Sequence, residues 1–156
     1  MFKVLLTITD FGIFDRVGPV LQDWPDPPVL AREVPLGETI TLESAGLAGM
    51  ALRRGDLLHL LLVWRPEQSL PSDYKLFVHI ADESIRPVTQ WDGYPCLNTA
   101  RTSQWPVGEA IRDHVLMRIP DDMPSGTYSL LVGLYDGTTG ERVGEQAIQL
   151  ATLTVR

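Results

Sequence analysis

Hydrophobic and polar residues alternate along most of the chain. In residues 74–80, one set of alternate positions holds Tyr, Leu, Val and Ile, and the other set holds Lys, Phe and His. Residues 111–119 and 127–135 show a similar pattern. Because successive side chains of a β-strand point to opposite faces, a period of two predicts half-buried strands. No stretch shows the sustained apolar period of an amphipathic helix.

Turn signals between the alternating runs indicate the fold class. The same pattern predicts further strands at residues 2–8, 39–44, 86–91 and 147–155, and an apolar run predicts one at residues 57–64. Turns rich in glycine and aspartate separate several of them, as at residues 54–56 and 136–140. Short strands with frequent turns predict an all-β protein, an immunoglobulin-like antiparallel β-sandwich of about seven to nine strands.

The predicted strand at residues 57–64 differs from the others because it is apolar at nearly every position. His59 is its one polar residue. A strand that is apolar on both faces is typical of a central position in a sheet that is covered on both sides. We therefore expect the N-terminal segment to cover part of its outer face.

The length of the chain, 156 residues, fits a single domain. Three prolines within residues 25–28 exclude a helix interior or a central strand there and indicate a connector. We expect residues 1–36 to form an N-terminal extension, with a strand at 2–8 and the connector at 25–28. Residues 37–156 are expected to form the core of the sandwich. The strand at 2–8 could pair within the fold or with another copy, so an oligomer is possible.

The charge balance and the cysteine content exclude several classes of function. The net charge is −7 and the pI is near 4.8, whereas nucleic acids and anionic membrane surfaces bind clusters of Lys and Arg. We expect no nucleic-acid partner and no membrane insertion, since no apolar run approaches the roughly 20 residues that span a bilayer. Cys96 is the only cysteine, which excludes an intrachain disulfide and a cysteine cluster for zinc. No cofactor is expected.

Motifs of catalysis are absent from the sequence. It contains no phosphate-binding glycine loop, no dinucleotide fingerprint, no nucleophile elbow and no paired-histidine zinc motif. We therefore predict that the chain is not an enzyme. His59 and His79 are weak candidates for a metal site, because they would be opposite each other if the strands at 57–64 and 74–80 paired. The stronger expectation is that these strands lie in different sheets and bind no metal.

The segment 92–108 is long, irregular and bordered by aromatic residues, as functional loops often are. Flat aromatic rings beside Asp, Asn and Arg suit sugars, which present apolar C–H faces and hydroxyl edges. The candidate ligand-binding residues are Trp91, Asp92, Tyr94, Asn98, Arg101 and Trp105. The alternative is that the aromatic side chains plug the end of the sandwich or hold the loop in place.

A series of short motifs extends over residues 55–142. Its residues are Gly55-Asp56, Trp64-Arg65, Tyr74, Phe77-Val78-His79-Ile80, Gln90, Asp92-Gly93, Pro95, Thr102, Trp105-Pro106, Gly108-Glu109, Asp113-His114, Ile119-Pro120-Asp121, Pro124, Gly126, Tyr128, Gly133-Leu134-Tyr135-Asp136, Gly140 and Arg142. On these residues the chain, from Ile40 onward, resembles a β-sandwich domain at the C-terminal end of bacterial membrane glycosyltransferases of the protein-mannosyltransferase type. Residues 1–36 lie outside the resemblance.

The resemblance implies an accessory domain on the extracytoplasmic side, near glycan or lipid-linked sugar chemistry. It implies no catalytic or ligand-binding residues. The sequence departs from the pattern at two places. Ser84-Ile85 stands in a turn that usually has a glycine, and Arg101 stands where proline usually precedes the threonine. Tyr128 is expected to anchor a corner of the sandwich through its hydroxyl.

Three functions are compatible with these observations. The first is a non-enzymatic accessory module that binds a carbohydrate or a protein. The second is a purely structural spacer, packed against a membrane glycosyltransferase or a partner subunit. The third is an inhibitor-like sandwich that inserts an exposed loop into a protease. The first function predicts that at least two of Trp91, Tyr94 and Trp105 expose a ring face beside a polar pocket, and burial of all three with satisfied polar tips would favour the second.

Overall fold

Two β-sheets packed face to face make up residues 26–156, the part of the chain that the computed structural model describes. The strands of this part are β1 Val29–Leu36, β2 Ile40–Leu47, β3 Ala51–Leu52, β4 Leu57–Pro66, β5 Tyr74–Ala81, β6 Pro87–Gly93, β7 Ile111–Arg118, β8 Gly126–Asp136 and β9 Ile148–Val155. A one-turn helix, α1 (Pro95–Asn98), and a 3₁₀ helix, Thr102–Gln104, lie between β6 and β7. No helix within residues 26–156 is long and apolar enough to cross a membrane.

The order of the strands confirms an all-β, immunoglobulin-like sandwich. β1, β2, β4 and β7 form a four-stranded sheet in that order, and β3, β9, β8, β5 and β6 form a five-stranded sheet. Neighbouring strands are antiparallel, apart from the short pair of β3 and β9, which is parallel. Strands that follow each other in the chain, such as β4 and β5, can therefore lie in different sheets.

Alternate side chains of the two sheets fill the space between them. The inward side chains of β4 and β8 include Leu58, Leu60, Leu62, Trp64, Leu130, Val132 and Leu134, each at most 1% exposed. Burial of a side chain of this kind stabilises a fold by about 1.5–3 kcal/mol. The alternation seen in the sequence is thus the pattern that builds the core.

Tyr128 anchors a corner of the sandwich, as the sequence predicts. Its hydroxyl donates a hydrogen bond of 2.6 Å to the backbone carbonyl of Pro124. The ring packs into the core and is 7% exposed. This bond fixes the turn through which the chain enters β8.

The sandwich begins earlier in the chain than residue 37, so the predicted boundary of its core is wrong. β1 is the edge strand of the four-stranded sheet and pairs antiparallel with β2, for example Val34 with Leu42. The sequence of β1 contains Pro35 and does not alternate cleanly between apolar and polar residues. Its backbone is also irregular, since Glu33 has a positive φ of 50°. Such features are tolerated at a sheet edge. The predicted strand at 2–8 lies outside the described residues.

His59 and His79 lie in different sheets, as expected, and the alternative pairing that would bring them together is wrong. β4 pairs with β2 and β7, whereas β5 pairs with β6 and β8. Alternation determines which face a side chain takes, but it does not determine which strand lies alongside. His59 instead contacts His114 of β7, with 2.9 Å between His59 Nε2 and His114 Nδ1. Residues 26–156 contain no group of three or more His, Cys, Asp or Glu side chains that could hold a metal ion.

The strand β4 is buried on both faces, as its composition predicts. His59 and Leu61 point to the outer face of the four-stranded sheet, yet they are only 5% and 6% exposed. The rings of His59 and His114 are stacked, with 5.2 Å between their centroids. Burial lowers the pKa of His59, and the negative charge of Asp26 opposes this effect. The predicted covering of this face by the N-terminal segment concerns residues outside the described part.

Candidate functional site

The loop between β6 and β7 is fastened to the core by one buried carboxylate, that of Asp113. Asp113 Oδ1 accepts a 2.7 Å hydrogen bond from the backbone N–H of Cys96, and Oδ2 accepts a 3.2 Å bond from Trp64 Nε1. Burial raises the pKa of Asp113 to about 7, although both hydrogen bonds act to lower it. The thiol of Cys96 also donates to the carbonyl of Arg112. These bonds tie α1 to β4 and β7.

The turn α1 has left-handed backbone geometry, and it fixes Tyr94 at the end of β6. Cys96, Leu97 and Asn98 have φ angles of 54, 56 and 63°. Residues other than Gly, Asn and Asp rarely adopt this backbone conformation, which persists only where the surrounding structure enforces it. Here Asp113 holds Cys96, and Asn98 Oδ1 accepts a 2.8 Å hydrogen bond from the N–H of Tyr94. Asn98 thus stabilises the loop.

Trp105 belongs to the core, because the segment before it is bonded to the start of β5. Thr102 Oγ1 accepts a 2.8 Å hydrogen bond from the N–H of Tyr74 and donates a 2.7 Å bond to the carbonyl of Ser72. Trp105 is 4% exposed, and its Nε1 has no hydrogen-bond partner within the described residues. Its ring plugs the sandwich, which is the alternative that the sequence leaves open.

Trp91 and Asp92 are neighbours on β6 and therefore point to opposite faces of the five-stranded sheet. Trp91, which pairs with Val78, is half-buried and packs against the core. Asp92, which pairs with Phe77, is exposed on the outer face. Only the carboxylate is therefore available on that surface.

Three of the six predicted ligand-binding residues meet at the outer face of the five-stranded sheet. They are Asp92, Tyr94 and Arg101. The Arg101 Cζ lies 3.6 Å from the centroid of the Tyr94 ring, and Lys75 Nζ lies 5.4 Å from it. A cation over an aromatic face is attracted by the ring quadrupole. The structure does not bring Trp91, Asn98 and Trp105 to this surface.

The register of β5, β6 and β8 sets the neighbours of these residues. Phe77 stands between Asp92 of β6 and Gly133 of β8, and Lys75 pairs with Tyr135 of β8. Side chains of paired residues share one face of a sheet. We call this surface the Phe77 face. Its residues are Lys75, Phe77, His79, Asp92, Tyr94, Arg101, Tyr135 and Arg142.

Phe77 lies beneath a recess in the Phe77 face and is itself only 3% exposed. Its ring lies across Gly133, where an added Cβ would come within 2.4 Å of Phe77 Cζ. The centroids of the His79 and Tyr135 rings lie 4.7 and 6.2 Å from that of Phe77. The recess has a volume of about 160 Å³. Its lining residues are Phe77, His79, Asp92, Tyr135, Gly140 and Arg142.

The polar groups around the recess influence one another's ionisation. Arg142 extends from the loop after β8, with its Cζ 5.2 Å from the centroid of the Phe77 ring. Burial lowers the pKa of His79, the charge of Arg142 lowers it further, and the charge of Asp92 opposes both. Burial raises the pKa of Tyr135, and so does its interaction with Asp92. At neutral pH the imidazole of His79 and the phenol of Tyr135 are therefore uncharged.

Sequence reasoning missed Phe77, Tyr135 and Arg142 as site residues. One signal was available, because the alternation on β5 places Phe77 on the same face as Lys75 and His79. A large apolar side chain on an otherwise polar face is expected to be covered by its neighbours, and Phe77 is 3% exposed. The contribution of β8 and the loop after it could not be found, since alternation does not identify neighbouring strands.

Comparison with solved structures finds matches at low sequence identity. A Niemann-Pick type C2 protein from Japanese carpenter ant has a TM-score of 0.49 and 10% identity, over 68% of this chain and 79% of that protein. The CARDB domain of a Pyrococcus furiosus protein, solved in complex with di-metal ions, has a TM-score of 0.42 and 11% identity, over 71% and 87% of the two chains. Chicken MD-1, complexed with lipid IVa, has a TM-score of 0.37 and 12% identity, over 78% and 92%.

No protein-family model matches the sequence, and no curated protein matches it. The resemblance to the domain of mannosyltransferase-type proteins therefore stays a prediction. The Phe77 face has to be interpreted from its own chemistry.

Proposed function

We propose that this domain is a non-enzymatic accessory module that binds a carbohydrate at the Phe77 face. The observation that carries the proposal is the recess above the buried ring of Phe77, where the aromatic side chain of Tyr135 stands beside a carboxylate, a guanidinium and an imidazole. A sugar ring presents both an apolar C–H face and polar hydroxyl edges, so it is complementary to such a surface.

The aromatic rings of Tyr135 and Tyr94 supply the apolar part of this surface, above the buried ring of Phe77. Phe77 is held by its packing on Gly133, and Tyr135 and Tyr94 are half-buried. Phe77 and Tyr135 belong to β-strands, and Tyr94 is fixed by the bond from its N–H to Asn98. Rings that are already ordered lose little conformational entropy when a ligand binds, which favours affinity.

The polar side chains supply partners for hydroxyl groups. Asp92 accepts hydrogen bonds, Arg142 donates them, and the neutral His79 and Tyr135 do both. A sugar hydroxyl also donates and accepts, so these groups can form a network that leaves no buried polar atom without a partner. Neither an apolar ligand nor a simple ion would use the whole set.

The volume of the recess suits one sugar unit. At about 160 Å³, it is smaller than the roughly 300–1,000 Å³ of pockets that enclose drug-sized ligands. We assign a single ring of a longer glycan to the recess. The rest of the glycan would extend over the open sheet surface toward Tyr94 and Arg101.

The resemblance found in the sequence supports the same class of ligand. The domains that the chain resembles are attached to membrane glycosyltransferases, whose chemistry concerns sugars. We propose an extracytoplasmic location for this domain, where it would hold a glycan near such an enzyme. In the alternative function, that of a structural spacer, the Phe77 face would be covered by the enzyme or a partner subunit.

A glycan array with the purified domain tests the proposal. The informative variants are Asp92→Asn and Tyr135→Ala, and the matched control is Asp122→Asn in the exposed turn after β7. Loss of one charged hydrogen bond is expected to weaken binding about tenfold or more, while the control binds like the wild type. Binding that both informative variants retain would exclude the Phe77 face. An array without signal would favour the spacer.

A further inference from the structure

We infer that the carbohydrate carries an acidic group, held by the cationic side chains of the Phe77 face. The inference rests on the proposed function and narrows the ligand to acidic glycans. The cations are Lys75, Arg101 and Arg142, and Asp92 is the carboxylate among the residues of the face. The face therefore has an excess of positive charge.

The three cations differ from the arginines that link the strands of the other sheet. Arg65 of β4 forms ion pairs with Glu33 and Glu67 at 2.8 and 3.1 Å, and Arg112 of β7 pairs with Asp26 at 2.7 Å. Within residues 26–156, none of the three cations of the Phe77 face has a carboxylate partner. They contact aromatic rings instead, so none of them is engaged in an ion pair within these residues.

Contact with an aromatic ring positions a guanidinium without using its hydrogen bonds. Arg101 lies with its Cζ 3.6 Å from the centroid of the Tyr94 ring, a distance at which the planar group stacks on the ring. The N–H groups at the edge of the guanidinium then stay available. A planar fork of donors matches a carboxylate, phosphate or sulfate bidentately.

The other two cations border Tyr135 from opposite sides. Lys75 pairs with Tyr135 through β5, and Arg142 pairs with it in an isolated bridge on the other side of β8. A sugar ring seated on Tyr135 would therefore have a positive group beside each of two edges. Asp92 stands across Phe77 from β8 and is placed to accept a hydrogen bond from a hydroxyl.

The net negative charge of the whole chain means that an acidic glycan can bind only at a local group of cations. With a net charge of −7, the protein repels polyanions at long range. Binding of an acidic glycan would therefore report a local site. Its affinity should decrease as ionic strength rises, because salt screens interactions between exposed charges.

An array that contains matched neutral, carboxylated and sulfated oligosaccharides tests the inference. We expect the strongest signals from the acidic classes, and binding at least about tenfold weaker in Arg101→Gln and in Arg142→Gln, since each loses a charged contact. Arg118→Gln is the control, because Arg118 is exposed on β7 and pairs with Asp121. A preference between the carboxylated and the sulfated class would identify the anionic group. Thermal unfolding of each variant checks that it is folded.

Two results would overturn the inference alone. One is binding that is confined to neutral glycans, and the other is acidic-glycan binding that both glutamine variants retain. Neither result would exclude the proposed carbohydrate-binding function, which the glycan binding of the Asp92→Asn variant tests separately. Absence of binding to every class would overturn the inference and the proposed function together.

Discussion

The ring of Phe77 occupies the space in which a side chain of Gly133 would stand. The two residues pair across β5 and β8, and a Cβ at position 133 would lie 2.4 Å from Phe77 Cζ. Position 133 therefore has to be glycine if the ring of Phe77 is to keep its place beneath the recess. The relationship links the shape of the candidate site directly to one residue of the sequence.

Gly133→Ala is expected to lower the free energy of unfolding by about 1–3 kcal/mol, because the new methyl group displaces a packed ring. It should also weaken glycan binding. Gly49→Ala is the matched control, since a Cβ at that position meets no atom within 4 Å. Urea denaturation of both variants checks the prediction, and a Gly133→Ala protein as stable as Gly49→Ala would contradict it.

The buried carboxylate of Asp113 makes the stability of the fold depend on pH. Its pKa is about 7 in the folded protein, above the ordinary value of 3.8, so the folded state binds a proton more tightly than the unfolded chain. The free energy of unfolding should therefore rise as the pH falls from about 7 to about 4, by roughly 4 kcal/mol for this group. Above pH 7 the buried charge destabilises the fold.

Denaturation of the wild type and of Asp113→Asn across this pH range isolates the effect. The histidines with lowered pKa values, His59 and His79, act in the opposite direction, but they contribute equally to both proteins and cancel in the difference. We expect the stability difference between the two proteins to change with pH in the window between the two pKa values of Asp113. A difference that is constant with pH would show that Asp113 does not titrate there.

Ile85 has a backbone conformation that suits glycine. Its φ is 60°, and its side chain is 56% exposed in the turn between β5 and β6. A β-branched residue in this region costs about 1–2 kcal/mol. Ile85→Gly should therefore raise the free energy of unfolding by about 1 kcal/mol. Ser84→Gly, one residue earlier, should not stabilise, and equal effects of the two substitutions in thermal unfolding would refute the explanation.

The hydroxyl of Tyr128 is expected to contribute to stability through its bond to the carbonyl of Pro124. Tyr128→Phe removes that bond and keeps the packed ring, so the free energy of unfolding should fall by about 0.5–1.5 kcal/mol. Tyr94→Phe, on a half-exposed ring, should change it by less than about 0.5 kcal/mol. Guanidinium denaturation of the two variants gives the comparison, and the account of this corner fails if Tyr128→Phe loses no more stability than Tyr94→Phe.

Much of the fold could be predicted from the sequence, because a half-buried strand leaves a period of two. The strands β2 and β4–β9 all lie where alternation or a both-face apolar run predicts them. β1 and β3 could not be found in this way. β1 is an edge strand with Pro35 and a distorted Glu33, and β3 consists of two residues only.

The candidate site was less predictable, since it depends on which strands become neighbours. The residue types in the loop between β6 and β7 predicted Asp92, Tyr94 and Arg101 as site residues. They did not predict Phe77 and Tyr135, which lie at the site because β5, β6 and β8 are neighbours. Trp105 follows the alternative that the sequence leaves open and plugs the sandwich, because hydrogen bonds of Thr102 and of Asp113 hold the loop against the core. Such long-range bonds have no local signature in the sequence.

The location of bound glycan on the protein tests the central claim most directly. We would titrate the ¹⁵N-labelled domain with the strongest-binding glycan of the array and follow the backbone amide signals by NMR. The account predicts shifts concentrated in β5, β6 and β8, around Phe77, Asp92 and Tyr135, with the four-stranded sheet unaffected. Shifts concentrated on the four-stranded sheet, with the signals around Phe77 unchanged, would contradict it.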